Sequence, residues 1–261
     1  MPPLFPATLA FYAVACVLYL AHLVSASPGI ARGARVALAV AFASHAIDIG
    51  WLCTHGLHPV VNAREALSFA SWLICGVYLV ASFRNKVPVV GALVVPGTMV
   101  LDVAARLTPS HESPHAAASL LGIVHITLAS AGVALFAVAA GGAVIYLIAE
   151  RNLKRHKPGR ANGPSLATLD KLNQRCITLG FPLFTVAMVT GAMWVAQLHL
   201  NGVFTLQYAI SAAAWLLYAV LLLARVTAGW RGRRAALMTL AGFAATAAVL
   251  LIYFLRGVTG A

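Results

Sequence analysis

Charge is what this sequence has least of. Of 261 residues only 9% are Asp, Glu, Lys or Arg, and only six are acidic. A soluble domain of this length carries about 25% charged residues. With 61% hydrophobic residues, a water-facing surface cannot be assembled, and that excludes an ordinary soluble globule. Alternating apolar and polar segments of about ten residues are missing too, which excludes a membrane β-barrel. The four cysteines, Cys16, Cys53, Cys75 and Cys176, form no C-x-x-C pair and no C-x-x-C-H run. Dithiol redox chemistry and covalent cofactor attachment through such a run are therefore not expected, and the thiols read as small packed hydrophobes. Phosphate-binding loops, dinucleotide fingerprints and nucleophile elbows are lacking as well. No internal repeat or low-complexity tract stands out.

What is present is a series of apolar runs near residues 5–26, 34–54, 65–83, 87–105, 118–149, 176–198, 207–226 and 235–255. Each is close to the roughly 20 residues that span hydrocarbon as a helix. Backbone amides in lipid must bond internally, so these runs are expected to be helical. The fold class is all-α, a polytopic transmembrane bundle of about eight spans forming a single unit over residues 1–261. No Lys or Arg precedes Arg32, so the first run lacks the basic start of a signal peptide and reads as a retained span.

The net charge of +12 is arranged as a topology signal, and nucleic acid is not expected as a partner. Fifteen of the 18 Lys and Arg residues fall in the connections after spans one, three, five and seven. Arg64, Arg106 and Arg256 fall on the other side. The positive-inside rule makes the richer face cytoplasmic and puts both termini outside. The sizeable loop Arg151–Arg175 follows an overlong fifth run. Within it, Pro164-Ser165 can start a short helix, with Leu166, Leu169 and Leu172 on one face, expected to lie on the inner leaflet.

Ionisable residues within spans are costly and point to function. His45 lies mid-span, with Asp48 three residues on and on the same helix face. His125 lies about two turns into the fifth span, while Asp102 and Glu65 mark outer span ends. Two neutral imidazoles on different helices can clamp one haem iron, and the haem carboxylates would seek an interfacial Arg such as Arg64 or Arg106. The competing reading is structural, with His45 paired to Asp48 or to another helix. A zinc site from His55, His58, His111 and His115 is a weaker rival. A small-molecule transporter using Asp48 and His45 as a proton relay is a third reading, but no broken-helix pair marks a substrate site.

Four stretches bear a family resemblance. Residues 56–72, GLHPVVNAREALSFASW, resemble a pre-span stretch GHFPLSNLYESLSFLSW. Residues 122–127, GIVHIT, resemble an MHVS helix opening. The run from Leu169 through Gly180-Phe181-Pro182 to Thr190-Gly191-Ala192-Met193-Trp194 resembles LDRLSYR…GFPLLT…TGAVWA. Residues 229–236, GWRGRRAA, followed by Ala241-Gly242-Phe243, resemble GWRGKRAA…GF. In order and at matching topological places, they resemble the CcsA/ResC branch of the cytochrome c assembly family, especially its small HemX/YpjD-like members.

The resemblance implies a haem-handling protein of cytochrome c or oxidase biogenesis in the bacterial inner membrane. It implies His125 as an axial ligand of haem b, and cytochrome assembly proteins or a haem-synthesis enzyme as partners beside the lipid bilayer. The family's Trp-rich outer loop is here AQLHLNGVFTLQY over residues 196–208, and its C-terminal GLHSYG is Arg256 to Ala261, RGVTGA. A second ligand must then come from elsewhere, with His45 the first choice and His199 the fallback. An axial pair leaves no open iron position, so no enzyme is expected. The alternative is a haem-free scaffold or regulator of haem biosynthesis, working through the basic loop 151–175.

Overall fold

The computed structural model describes residues 2–56, 58–60, 62–85, 87–109, 119–155, 163–197 and 205–259. Eight helices and no strand occur among them: α1 Phe5–Ser25, α2 Pro28–Thr54, α3 Ala63–Asn85, α4 Pro88–Leu107, α5 Leu120–Lys154, α6 Leu166–Gln197, α7 Thr205–Thr227 and α8 Arg233–Thr259. All eight are long and apolar enough to cross a membrane. The protein is an all-helical polytopic bundle.

Prolines set several starts. Pro28 and Pro88 open α2 and α4, where the missing N–H has no intrahelical acceptor to lose and φ is already helical. Helix α2 therefore begins six residues before the apolar run expected at 34, and it absorbs Arg32 and Arg35 into its first turns. The link from α1 is only Ala26-Ser27, with Ala26 in the left-handed region at φ 51°.

Chain neighbours pair as hairpins, α1 with α2, α3 with α4, α5 with α6 and α7 with α8. Helix α5 is the hub, touching α3, α4, α6 and α8, and its contact with α6 is the most extensive in the molecule. Small residues permit this. A Cβ on Gly141 would stand 2.9 Å from Val94, and one on Gly180 would stand 2.8 Å from the Phe136 ring. Between lipid-solvated helices, packing at this closeness provides the adhesion that the hydrophobic effect supplies in water.

Helices α5 and α6 have 35 and 32 residues, about 52 and 48 Å at 1.5 Å per residue. Both exceed a hydrocarbon core of about 30 Å. The excess lies at the basic end, where Arg151, Lys154, Lys171 and Arg175 sit. This corrects the expectation of a separate interfacial helix after Pro164-Ser165. Residues 166–175 are the first turns of α6, continuous with the sixth span. Leu169 and Leu172 are 0% and 2% exposed, because the overlong end of α5 offers them a protein face instead of lipid.

Candidate functional site

Among the described residues a cavity of about 200 Å³ lies between α3, α5, α6, α7 and α8. Leu67, Val133, Phe184, Met188 and Leu250 make its walls largely apolar. Its polar groups are His125, Ser130, Trp194, Gln207, Ser211, Thr246 and two tyrosines, Tyr208 and Tyr253.

His125 stands two turns into α5. Its Nδ1 lies 2.6 Å from the carbonyl oxygen of Ala187 on α6. A carbonyl only accepts, so the imidazole proton is on Nδ1 and the lone pair of the neutral ring is left on Nε2. Nε2 has no hydrogen-bond partner among the described residues. The ring reaches that carbonyl because residue 191 is glycine. A Cβ there would stand 2.6 Å from the imidazole. One turn on, the Trp194 ring lies 6.0 Å from the His125 ring, and its Nε1 is buried without a partner. The cavity thus holds a clamped imidazole with a bare lone pair and an unused N–H donor, two features rare in finished cores.

The edge of the cavity at its lining residue Gln207, called its mouth, is polar, and Arg256 stands beside it without lining it. Arg256, near the end of α8, donates from Nη1 to Gln207 Oε1 on α7 at 2.9 Å. Tyr253, one turn before Arg256, lines the cavity itself.

The structure does not bring His45 and His125 together. His45 lies in a second polar cluster, between α1, α2, α3 and α4. Its Nδ1 is 3.1 Å from the Tyr12 hydroxyl and its Nε2 is 2.9 Å from the Ser68 hydroxyl. Both ring nitrogens are used, and His45 is absent from the cavity lining. The pairing with Asp48 does not form either. Asp48 accepts from the Leu4 amide and the Thr8 hydroxyl, whereas the carboxylate near His45 is Asp102, at 3.6 Å. Helix α3 is the wall between the two clusters. Its Leu67 lines the cavity while the next residue, Ser68, bonds His45.

Arg64 and Arg106 brace the ends of α3 and α4; they neither line the cavity nor bond a residue that does. Arg64 Nε donates to the Thr108 carbonyl at 2.7 Å. Arg106 lies over the Phe5 ring at 4.6 Å, and its Nη1 is 4.0 Å from Glu65. His199 lies outside the described residues, in the connection after Gln197. Of the zinc candidates, His55 bonds the Trp51 carbonyl at 2.8 Å, His58 is exposed, and His111 and His115 lie outside the described residues. No group of three metal-ligating side chains forms among the described residues.

Sequence reasoning missed Gln207 and Arg256, which frame the mouth, and Tyr253. The offset of Arg256 from the basic face is a signal, which the charge asymmetry alone turns into topology and not into a site. Trp194 was noted for its motif and not for the bare N–H it presents.

The comparisons with known proteins match most of the chain. It is 25% identical over 241 residues to the "Cytochrome c biogenesis protein CcsA" of Microcystis aeruginosa, covering 72% of this chain and 74% of that protein. It is 25% identical to that of Mesostigma viride, covering 76% and 74%, and 24% identical to that of Porphyra purpurea, covering 80% and 77%. No solved structure matches significantly. The "Cytochrome C assembly protein" family matches residues 60–260, a stretch that starts just before α3 and takes in every helix lining the cavity. The chain around this cavity therefore belongs to the cytochrome c assembly protein family.

Proposed function

We propose that the protein handles haem in cytochrome c biogenesis, and that haem seats in the cavity between α3, α5, α6, α7 and α8 with His125 Nε2 as an axial ligand. The observation that carries this reading is the bare Nε2 of His125, on a ring that is held by the Ala187 carbonyl and lines a largely apolar cavity.

The residues present fit the group. Apolar walls suit a flat macrocycle, a neutral imidazole suits iron, and the unpartnered Trp194 N–H and the Gln207–Arg256 pair offer donors to its carboxylates. The Ala187 carbonyl holds the His125 tautomer and raises the basicity of Nε2, as second partners of ligating histidines do. Bound haem supplies an iron centre that can be held and passed on. The chain contributes orientation, exclusion of water and a polar mouth.

Arg256 replaces Arg64 and Arg106 in this reading as the cation at the carboxylate end. For the second ligand, His45 is consumed by Tyr12 and Ser68. His199 takes its place as the candidate, because the segment containing it joins two cavity-lining helices. Haem b, a small HemX/YpjD-like type and a non-enzymatic role complete the proposal, together with assembly proteins as partners. With the basic end of α5 and α6 cytoplasmic, the cavity mouth and both termini lie on the outer side of a bacterial inner membrane.

The test is an absorption spectrum of the detergent-purified protein, oxidised and dithionite-reduced. A Soret band is expected in the protein and in His45→Ala, with loss in His125→Ala. If no Soret band forms even after haem reconstitution, the reading fails. The scaffold or regulator reading would then lead, because the α5–α6 end projects a basic, protein-packed hairpin past the other helices.

A further inference from the structure

A second buried site stands apart from the cavity and spans the boundary of the family match. His45 and Asp102 are 2% and 0% exposed. They belong to a chain of four side chains from four helices, of which the family-matching segment supplies two. Tyr12 Oη is 3.1 Å from His45 Nδ1, His45 Nε2 is 2.9 Å from Ser68 Oγ, and Ser68 Oγ is 3.0 Å from Asp102 Oδ1.

The donors in this chain can be ordered in two ways. With Asp102 ionised, Ser68 donates to Asp102, so Ser68 accepts from His45. The imidazole proton is then on Nε2, and Nδ1 accepts from Tyr12. With one proton added at Asp102 Oδ1, every bond reverses. Asp102 donates to Ser68, Ser68 donates to His45 Nε2, and the imidazole proton moves to Nδ1 and is donated to Tyr12 Oη. The Tyr12 oxygen then accepts, and its own proton turns away from His45. The two patterns differ by one proton and require no heavy atom to move. Histidine, with two ring nitrogens of exchangeable role, makes the reversal possible.

One cation, Arg106, opposes the added proton: it lies one turn beyond Asp102 on α4, and its Nε is buried with no partner. Three carboxylates are buried here: Asp48, Glu65 and Asp102. Asp48 is satisfied by the Leu4 amide and the Thr8 hydroxyl. Glu65 has Arg106 at 4.0 Å, and the Arg106 guanidinium also lies over the Phe5 ring. Arg64 is committed to the Thr108 carbonyl. Asp102 receives the Ser68 hydroxyl on Oδ1, and its Oδ2 is buried with no partner. An ionised carboxylate in this setting is costly; a proton bound at Oδ1 discharges it and finds an acceptor in the Ser68 hydroxyl, whereas a proton on Oδ2 would find none.

We infer that Tyr12, His45, Ser68 and Asp102 form a membrane-embedded proton-binding relay, in which proton uptake at Asp102 switches the His45 tautomer. The ligand is the proton, and the relay sits where α1 and α2 join the family-matching helices.

The test uses the unmutated protein in detergent, with carbon-13 aspartate for infrared spectroscopy and nitrogen-15 histidine for NMR. As pH falls, a protonated-carboxyl C=O band should appear, and the His45 proton should move from Nε2 to Nδ1 with the same midpoint. Asp102→Asn should remove the band, Asp48→Asn should keep it, and Ser68→Ala should leave the band titrating while the His45 tautomer stays fixed. A His45 tautomer constant across the pH range in the unmutated protein would overturn the inference. So would a doubly protonated His45 beside a still ionised Asp102.

Discussion

The His125 imidazole donates to the Ala187 carbonyl oxygen across the α5–α6 contact, 2.6 Å from Nδ1, and residue 191 is glycine where its Cβ would collide with that ring. The tautomer of the candidate ligand is thus set by a neighbouring helix and depends on a missing methyl group.

Gly191→Ala places a carbon 2.6 Å from the His125 ring, and the ring must leave the Ala187 carbonyl. Overpacking of this kind costs about 1–3 kcal/mol. The expected outcome is a lower thermal midpoint and loss of the Soret band. Gly132→Ala serves as the comparison. Its Cβ would stand 3.4 Å from Phe184, and the Soret band should survive. Thermal scans and absorption spectra of both variants check this.

Arg256→Gln removes the cation at the cavity mouth while keeping a donor for Gln207. A hydrogen bond to a charged group contributes about 1.5–3 kcal/mol, so haem affinity should fall about 10- to 100-fold. Affinity for the haem dimethyl ester, which lacks the carboxylates, should change little. Haem titrations of both proteins with both compounds separate carboxylate recognition from a general loss of fold. An equal loss for acid and ester would count against Arg256 as the carboxylate-side cation.

Leu169→Lys tells a packed helix start from an interfacial one. On an interfacial helix it would be tolerated at the lipid surface. In this structure it puts an ammonium into a fully buried site facing the rest of the bundle. A fall in the thermal midpoint and reduced yield of folded protein in detergent are expected. Leu169→Ala should cost about 2–5 kcal/mol, read from the same thermal scans.

Asp170→Ala removes the carboxylate that pairs with Arg225. Arg225 Nη2 is 3.3 Å from Asp170 and 2.7 Å from Asn173, and its Nε and Nη1 are buried with no partner. The pair is only partly buried and Asn173 still accepts from Arg225, so the loss should cost about 1–3 kcal/mol. The Gly232 amide also loses its acceptor, so the α7–α8 turn should exchange hydrogen faster. Hydrogen exchange followed by mass spectrometry reads that turn directly, and unchanged exchange there would contradict this role for Asp170.

The eight spans were legible because lipid imposes one requirement everywhere, an apolar run long enough to bond its own backbone. The errors fell where protein replaced lipid. Arg32 and Arg35 looked like a loop but lie in α2, since charged residues at a helix end can reach the interface. Leu169 and Leu172 looked interfacial because their apolar stripe cannot say whether the covering surface is lipid or α5. The site was legible one residue at a time. His125 stood out as an ionisable group in a span, and it lines the cavity. His45 stood out on the same ground, but its pairing with Tyr12, Ser68 and Asp102 depends on how α1, α3 and α4 pack. Spacing along α2 carries no trace of that packing. Gln207 and Arg256 meet across 49 positions, and nothing local in the sequence links them.

The join between α2 and α3 has a consequence for assembly. Lipid solvates an apolar helix about as well as another helix does, so greasy faces alone give the α1–α2 hairpin no address. Its address is written in polar atoms. The His45 ring meets Ser68, and the Phe42 carbonyl accepts from Trp72 Nε1 at 3.2 Å. A hairpin docked one turn out of register would leave an imidazole, a hydroxyl and an indole N–H unanswered in hydrocarbon. The correct docking is thereby separated from its neighbours by several unsatisfied groups at once, and the hairpin and the remaining helices recognise each other much as two interacting chains would.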